Sequence, residues 1–252
     1  MPNRYLIFGA TGGIGSALVR QLAAEGNTLV ISGRRSDALK QLQAETGAFP
    51  LPGDLEQWDC AQEIVESAKK MMGGLDGVAS CIGSILLKPA HLTSRDQYNS
   101  ILATNLTTSF GIVRAATKAL FTTGGSIVLT ATAAAQTGIP NHEAIAAAKA
   151  GVIGLTQSAA ATYAPRNIRL NCIATGLVET PLSEPILGNP AARVASEQMH
   201  PLGRIGKVEE IARSIAWLLS PDQSWITGQT LAVDGGLSTL LPKARATSSR
   251  SI

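Results

Sequence analysis

The stretch Tyr5-Leu6-Ile7-Phe8-Gly9-Ala10-Thr11-Gly12-Gly13-Ile14-Gly15 decides how this chain is read. Four consecutive apolar residues form the heart of a buried strand. A turn with glycines at 9, 12, 13 and 15 follows, and from Ile14 the apolar residues Ile14, Leu18 and Leu22 recur along one helical stripe. Glycines between a strand and a helix let the backbone come close to a pyrophosphate. The helix N-terminus adds uncommitted N–H groups and a partial positive charge. Strand, glycine turn and helix in that order point to a dinucleotide site. Its candidate contacts are Gly9, Thr11, Gly13, Ile14 and Gly15.

Outward from that turn, strands and helices alternate to the end. Strands are predicted at 4–8, 28–32, 49–51, 77–82, 126–130, 169–174 and 230–233. Helices are predicted at 14–25, 36–46, 57–72, 95–120, 143–163 and 208–219. Such alternation implies an α/β fold: one Rossmann-like domain, a doubly wound parallel sheet with helices on both faces, over residues 1–241. Residues 177–206 break the rhythm with Pro181, Pro185, Pro190 and Pro201. They are expected to form a lid over a binding site. Residues 242–252 read as a solvated tail.

Composition agrees. Hydrophobic residues make up 45% and charged residues 15% of the 252, enough for a sizeable core. Aromatic residues are only 4%, so that core must be built from small aliphatic side chains. A net charge of +3 with no basic stripe argues against a nucleic-acid partner. Cys60, Cys81 and Cys172 are widely spaced, which fits neither a metal site nor a disulfide framework. No membrane span is read from the apolar runs, and the expected location is cytoplasmic.

The end of the second strand bears on cofactor choice. Sites for NAD place an acidic residue there to accept the ribose hydroxyls. This chain has Ser32-Gly33-Arg34-Arg35, and two guanidinium groups can pair with a 2′-phosphate. NADP(H) is therefore favoured over NAD(H), with Arg34 and Arg35 as its determinants.

Further motifs carry a family resemblance. They are Gly9-x-x-x-Gly13-x-Gly15, Ile168-Arg169-Leu170-Asn171, Gly176-Leu177-Val178-Glu179-Thr180, Thr227-Gly228-Gln229 and Val233-Asp234-Gly235-Gly236. In this order they resemble the short-chain dehydrogenase/reductase family over roughly residues 4–237. The resemblance implies a nicotinamide-dependent oxidoreductase. Asp54 and Leu55 would lie at the adenine, Thr180 at the nicotinamide carboxamide and Lys149 on the ribose, and Gly83, the one residue matching the family's Asn-Asn-Ala-Gly, would also contact the cofactor. It also implies Asn105 holding a water near Lys149 and Thr132 in place of a serine that bonds the substrate oxygen. An assembly of two or four copies through the helices at 95–120 and 143–163 is implied as well.

The chain departs from the family at Thr132, at Thr175 in place of a proline and at Ser80-Cys81-Ile82 in place of Asn-Asn-Ala, and it departs outright at one further position. Where Tyr-x-x-x-Lys is usual, it has Ile145-Ala146-Ala147-Ala148-Lys149. An isoleucine donates no proton. His142, three residues earlier and expected on the same helical face, is the candidate substitute acid, and an ordinary first-turn residue is the alternative. Two functions stay open. One is an NADP(H)-dependent oxidoreductase of small carbonyl or alcohol substrates with a non-standard acid. The other is an NADP(H)-binding protein without turnover, acting as sensor or partner subunit.

Overall fold

The computed structural model describes residues 2–242, so the expected tail lies, beyond Pro242, outside the described residues. Its centre is a seven-stranded sheet made of β1 (Arg4–Phe8), β2 (Thr28–Gly33), β3 (Phe49–Pro52), β4 (Gly77–Ser80), β5 (Gly125–Thr132), β6 (Ile168–Thr175) and β7 (Thr230–Val233). The order is β3-β2-β1-β4-β5-β6-β7 and every pairing is parallel. The doubly wound expectation is met.

Side chains along β1 alternate between two cores, as the strand period requires. Leu6 and Phe8 face the side covered by α3 (Cys60–Met71), α5 (Thr108–Leu120) and α6 (Glu143–Tyr163). Tyr5 and Ile7 face the side covered by α1 (Gly13–Ala24), α2 (Ser36–Thr46) and α9 (Val208–Leu219). Both cores are mostly Ala, Val, Ile and Leu.

Chain order reverses at β1. From β1 the chain runs outward to β2 and β3, then returns to β4 on the other side. The crevice beyond the strand ends at such a switch point is where ligands bind in open parallel sheets. Here it lies between the turn after β1 and the segment after β4.

Several boundaries differ from the sequence reading. The helix expected at 57–72 starts at Cys60, because Asp54 to Asp59 form turns. The helix expected at 95–120 is α4 (Arg95–Leu102) and α5 joined by a π-helical turn at Ala103–Thr107. Residues 177–206 are not plain loop, for they contain α7 (Glu184–Leu187) and α8 (Pro190–Met199). His142 does not share a helical face with Ile145. It precedes α6 with φ −110° and ψ 11°, and Asn141 before it is left-handed at φ 65°. By length and composition alone, the helix from Glu143 to Arg166, with its 3-10 end, is long and apolar enough to cross a membrane. It packs instead against β5 and β6.

Candidate active site

The glycine turn is shaped by crowding. Gly9 has φ +71°, and a Cβ there would stand 2.9 Å from the carbonyl carbon of Cys81, just past β4. A Cβ on Gly15 would land on the carbonyl oxygen of Gly9. One on Gly13 would stand 2.9 Å from Thr180 Cγ2, so the glycine lets the segment after β6 lie on the turn. The N-terminus of α1 is left open, with Gly12 as cap, no side-chain capping bond and no acidic residue in its first turn. That arrangement suits an anionic group.

Beside the turn, Arg35 Nη2 donates to the carbonyl of Thr11. Arg34 is exposed and has no ion-pair partner among the described residues. A Cβ on Gly33 would stand 3.2 Å from Thr11 Oγ1, so the end of β2 borders the turn. Asp54 accepts from the backbone N–H of Glu56 at 3.2 Å, and Leu55 packs against the α3-side core.

At the other end of the crevice, a cavity of about 510 Å³ is lined by Ile14, Gly83, Thr132, His142, Lys149 and Thr180, among others. Ile145 also lines it. The fold thus brings six of the sequence-chosen residues to one cavity, while Gly9, Thr11, Gly13, Gly15 and Asn105 are not part of its lining. Arg34, Arg35, Asp54 and Leu55 lie outside this cavity, toward the other end of the turn.

Asn105 sits on the π-helical turn, fully buried. Its amide orientation is fixed by its partners. Oδ1 accepts from the backbone N–H of Ser84 at 3.2 Å, and Nδ2 donates to the carbonyl of Ile101 at 2.9 Å. Nδ2 also donates to Ser84 Oγ at 2.8 Å. The serine oxygen therefore accepts, which leaves its own O–H to donate elsewhere. Ser84 lines the cavity. The sequence reading missed it, and its one signal was its place directly after Gly83.

Lys149, on α6, is 5% exposed. Nζ donates to the carbonyls of Thr130 at 2.8 Å and Ile82 at 3.1 Å. Burial pulls its pKa down to about 8. Burial likewise pushes the thiols of Cys81 and Cys172 up to about 12, so both stay protonated near neutrality. A Cβ on Gly83 would stand 3.6 Å from Asn105 Oδ1 and 3.7 Å from Lys149 Nζ, which places that glycine between the two.

Thr132 Oγ1 accepts from the backbone N–H of Ala134 at 3.4 Å, again leaving its O–H uncommitted. His142 Nδ1 lies 2.8 Å from the carbonyl of Pro140. A carbonyl only accepts, so Nδ1 carries the hydrogen and Nε2 is the nitrogen left for the cavity. Ile145 packs with Ile101, Ala144 and Ala148, against Leu86, Leu102 and Leu106. A second histidine, His200, also lines the cavity and was not foreseen. Among the described residues, no group of three His, Cys, Asp or Glu could hold a metal ion.

A parallel sheet with an open glycine turn at its switch point, and a buried lysine beside it, define a nucleotide-binding fold of Rossmann type. Comparison with known proteins narrows the class. A family profile described as enoyl-(acyl carrier protein) reductase matches residues 9–238. The chain is 34% identical over 242 residues to the 3-oxoacyl-(acyl-carrier-protein) reductase FabG of Thermotoga maritima, covering 92% of this chain and 96% of that one. It is 31% identical over 245 residues to 3beta-hydroxysteroid dehydrogenase 1 of Eggerthella lenta, covering 94% of each. The structure of an actinorhodin polyketide ketoreductase variant with NADPH superposes with a TM-score of 0.89 at 25% identity, covering 95% of this chain and 98% of that one. The chain belongs to the short-chain dehydrogenase/reductase family.

Proposed function

We propose that this protein is an NADP(H)-dependent oxidoreductase of small carbonyl or alcohol substrates, working without the tyrosine usual in its family. One observation carries the reading. Lys149, Thr132, His142 and Ser84 line the same cavity as Ile14 and Thr180 of the glycine-turn region. Reactive polar groups thus converge where a nicotinamide would reach.

The residues present fit the cofactor. The open N-terminus of α1 receives the pyrophosphate, Arg34 and Arg35 the 2′-phosphate, and Lys149 the ribose hydroxyls near the nicotinamide. When bound, NADP(H) supplies or accepts the hydride. The protein orients the substrate and handles charge at its oxygen. The O–H groups of Thr132 and Ser84 donate to that oxygen. Protonated His142, with Nδ1 tied to Pro140, presents Nε2–H as the acid. Lys149, its amine held by two carbonyls, keeps a positive charge beside the site at neutral pH and favours negative charge on the oxygen.

A silent cofactor-binding protein is the second reading, favoured by one observation. Ile145 is packed as part of an apolar cluster and fills the tyrosine's position as core. NADPH consumption against a broad carbonyl panel, in wild type and His142→Ala, decides between the readings after NADPH binding is measured by fluorescence. We expect turnover in wild type and a loss of roughly 10²-fold or more in the variant. Turnover that persists in His142→Ala clears the histidine but keeps the enzyme. Binding without turnover on any substrate leaves the second reading. Failure to bind NADPH overturns both.

A further inference from the structure

We propose that His200 is a positioning residue that ties the 177–206 lid to the segment bearing Thr180, and that it does so only as a neutral imidazole. The consequence for catalysis rests on the functional reading above, whereas the tie is argued without any ligand.

His200 directly follows α8 and is 4% exposed. Both ring nitrogens are used. Nδ1 lies 2.7 Å from the carbonyl of Ser196, in the last turn of α8. Nε2 lies 3.1 Å from the backbone N–H of Leu177, in the segment leaving β6. The partners fix the tautomer. A carbonyl accepts, so Nδ1 carries a hydrogen. An N–H donates, so Nε2 offers its lone pair. One ring thus joins the end of the lid helix to the backbone three residues before Thr180.

The surroundings are fitted to this ring. A Cβ on Gly176 would stand 2.7 Å from Nε2, so the glycine leaves room for the imidazole. Gly235, with φ +63°, lies against the other side, its Cβ direction 3.6 Å from His200 Cβ and Cδ2. His200 lines both the main cavity and a second one of about 410 Å³, which Leu202, Arg204, Glu210 and Leu240 also line.

Protonation would place a hydrogen on Nε2, facing the Leu177 N–H. The bond to Leu177 would then become a donor–donor clash, while the bond to Ser196 would survive. The charged groups around the ring do not supply a replacement. Asp234, after β7, is the near carboxylate, and its attraction to an imidazolium opposes the effect. Its oxygens already accept from Gly236 N–H and Ser238 N–H, both at 2.9 Å, and from the Ser238 hydroxyl at 2.5 Å. Arg204 and Glu210, on the outer cavity, pair with each other at 2.6 Å. On the lid itself, Arg193 holds Glu179 at 2.9 Å and Glu197 at 3.8 Å.

The lone-pair side of the ring is therefore one tie of the lid, beside the backbone bonds from Glu179 N–H to Gly206 and from Leu202 N–H to Gly235. Falling pH should release the Leu177 end first and loosen the lid over the cavity.

Hydrogen exchange read by mass spectrometry tests this on the intact protein, without a substrate. Peptides covering 177–200 are followed at about pH 8 and about pH 5.5. Rates are corrected for the intrinsic pH dependence of exchange. Peptides from β5 and α1 report whether the fold is intact. We expect lid protection to fall roughly tenfold at the acid end in wild type, the scale of one lost hydrogen bond in a partly buried site. In His200→Gln the side-chain carbonyl can still accept from Leu177 but cannot titrate, and lid protection should be independent of pH. If wild-type protection does not change with pH, the proposal is overturned. It is overturned equally if His200→Gln shows the same change, because another group then titrates. Should the glutamine variant fail to fold, His200→Asn and the wild-type profile carry the test. NADPH titration at both pH values keeps the two claims apart. Absence of NADPH binding would refute the functional reading and leave the exchange result standing.

Discussion

At the scale of single residues, the site is governed by which groups can donate a hydrogen and which cannot. Asn105 spends its whole amide on the backbone and on Ser84, and so turns the serine hydroxyl outward. Ile145 offers no hydrogen at all and is packed by Ile101, Leu102 and Leu106. On the reading proposed here, a missing acid costs roughly 10²–10⁴-fold unless another group replaces it. If the vacancy at 145 limits turnover, Ile145→Tyr should raise reduction of simple ketones by about tenfold or more. It should also lower stability by roughly 1–3 kcal/mol, because a phenol must fit an already filled apolar cluster. Steady-state NADPH oxidation and denaturant melts on one preparation check both effects. A folded, cofactor-binding variant with no gain would mean that the site is built around a different acid.

At the scale of elements, strong periodicity was legible and irregular geometry was not. The helices at 36–46, 143–163 and 208–219 and the strand at 230–233 stand where their patterns put them. The glycine turn was legible because strand, glycines and helix are contiguous. The π-helical turn under Asn105 was not, since its sequence is helical and only packing selects the extra residue per turn. The lid helices were missed because proline was read as a breaker. Pro185 and Pro190 instead occupy first turns, where a missing N–H costs nothing, and Asn189 caps α8 through Ala191 and Ala192. His142 was placed on a helix that left-handed Asn141 and the turn before α6 do not allow. Ser84 and His200 were not seen because their partners are distant backbone groups. The β2–α2 connection carries its own prediction. Gly33 borders the turn, and Arg34, next to it in the chain, is exposed and has no ion-pair partner among the described residues, so cofactor preference should turn on that arginine. Arg34→Asp replaces a partner for a 2′-phosphate with a group that repels it and accepts ribose hydroxyls. The ratio of NADPH to NADH affinity should fall roughly tenfold to a hundredfold, measured by fluorescence titration of both. An unchanged ratio would remove Arg34 from the cofactor site.

At the scale of the whole molecule, the sheet is covered on both faces, yet the outer surface of α5 and the turn before α3 keep large apolar side chains in solvent. Phe110 is 48% exposed and Trp58 is 49% exposed, their rings stacked 6.0 Å apart with Arg114 over the indole. Gly154, on α6, has open space where a Cβ would be, so another helix could approach closely there. Exposed aromatic rings and a helix face of small residues are each what an interface between copies of this chain would use. The expected state in solution is accordingly a dimer or a tetramer. If the contact is two-fold symmetric, the same patch meets itself, and a charge placed at its centre faces its own copy. Phe110→Glu would thus bring two carboxylates together in a desolvated contact, which a homo-oligomer cannot relieve by choosing another partner. Sedimentation at micromolar concentration should show wild type at two or four chain masses, with the variant at half that mass or less. Circular dichroism should remain that of the wild type, because the ring at 110 belongs to neither core. A wild-type monomer, or a variant of unchanged mass, would place the assembly elsewhere on the surface or rule it out.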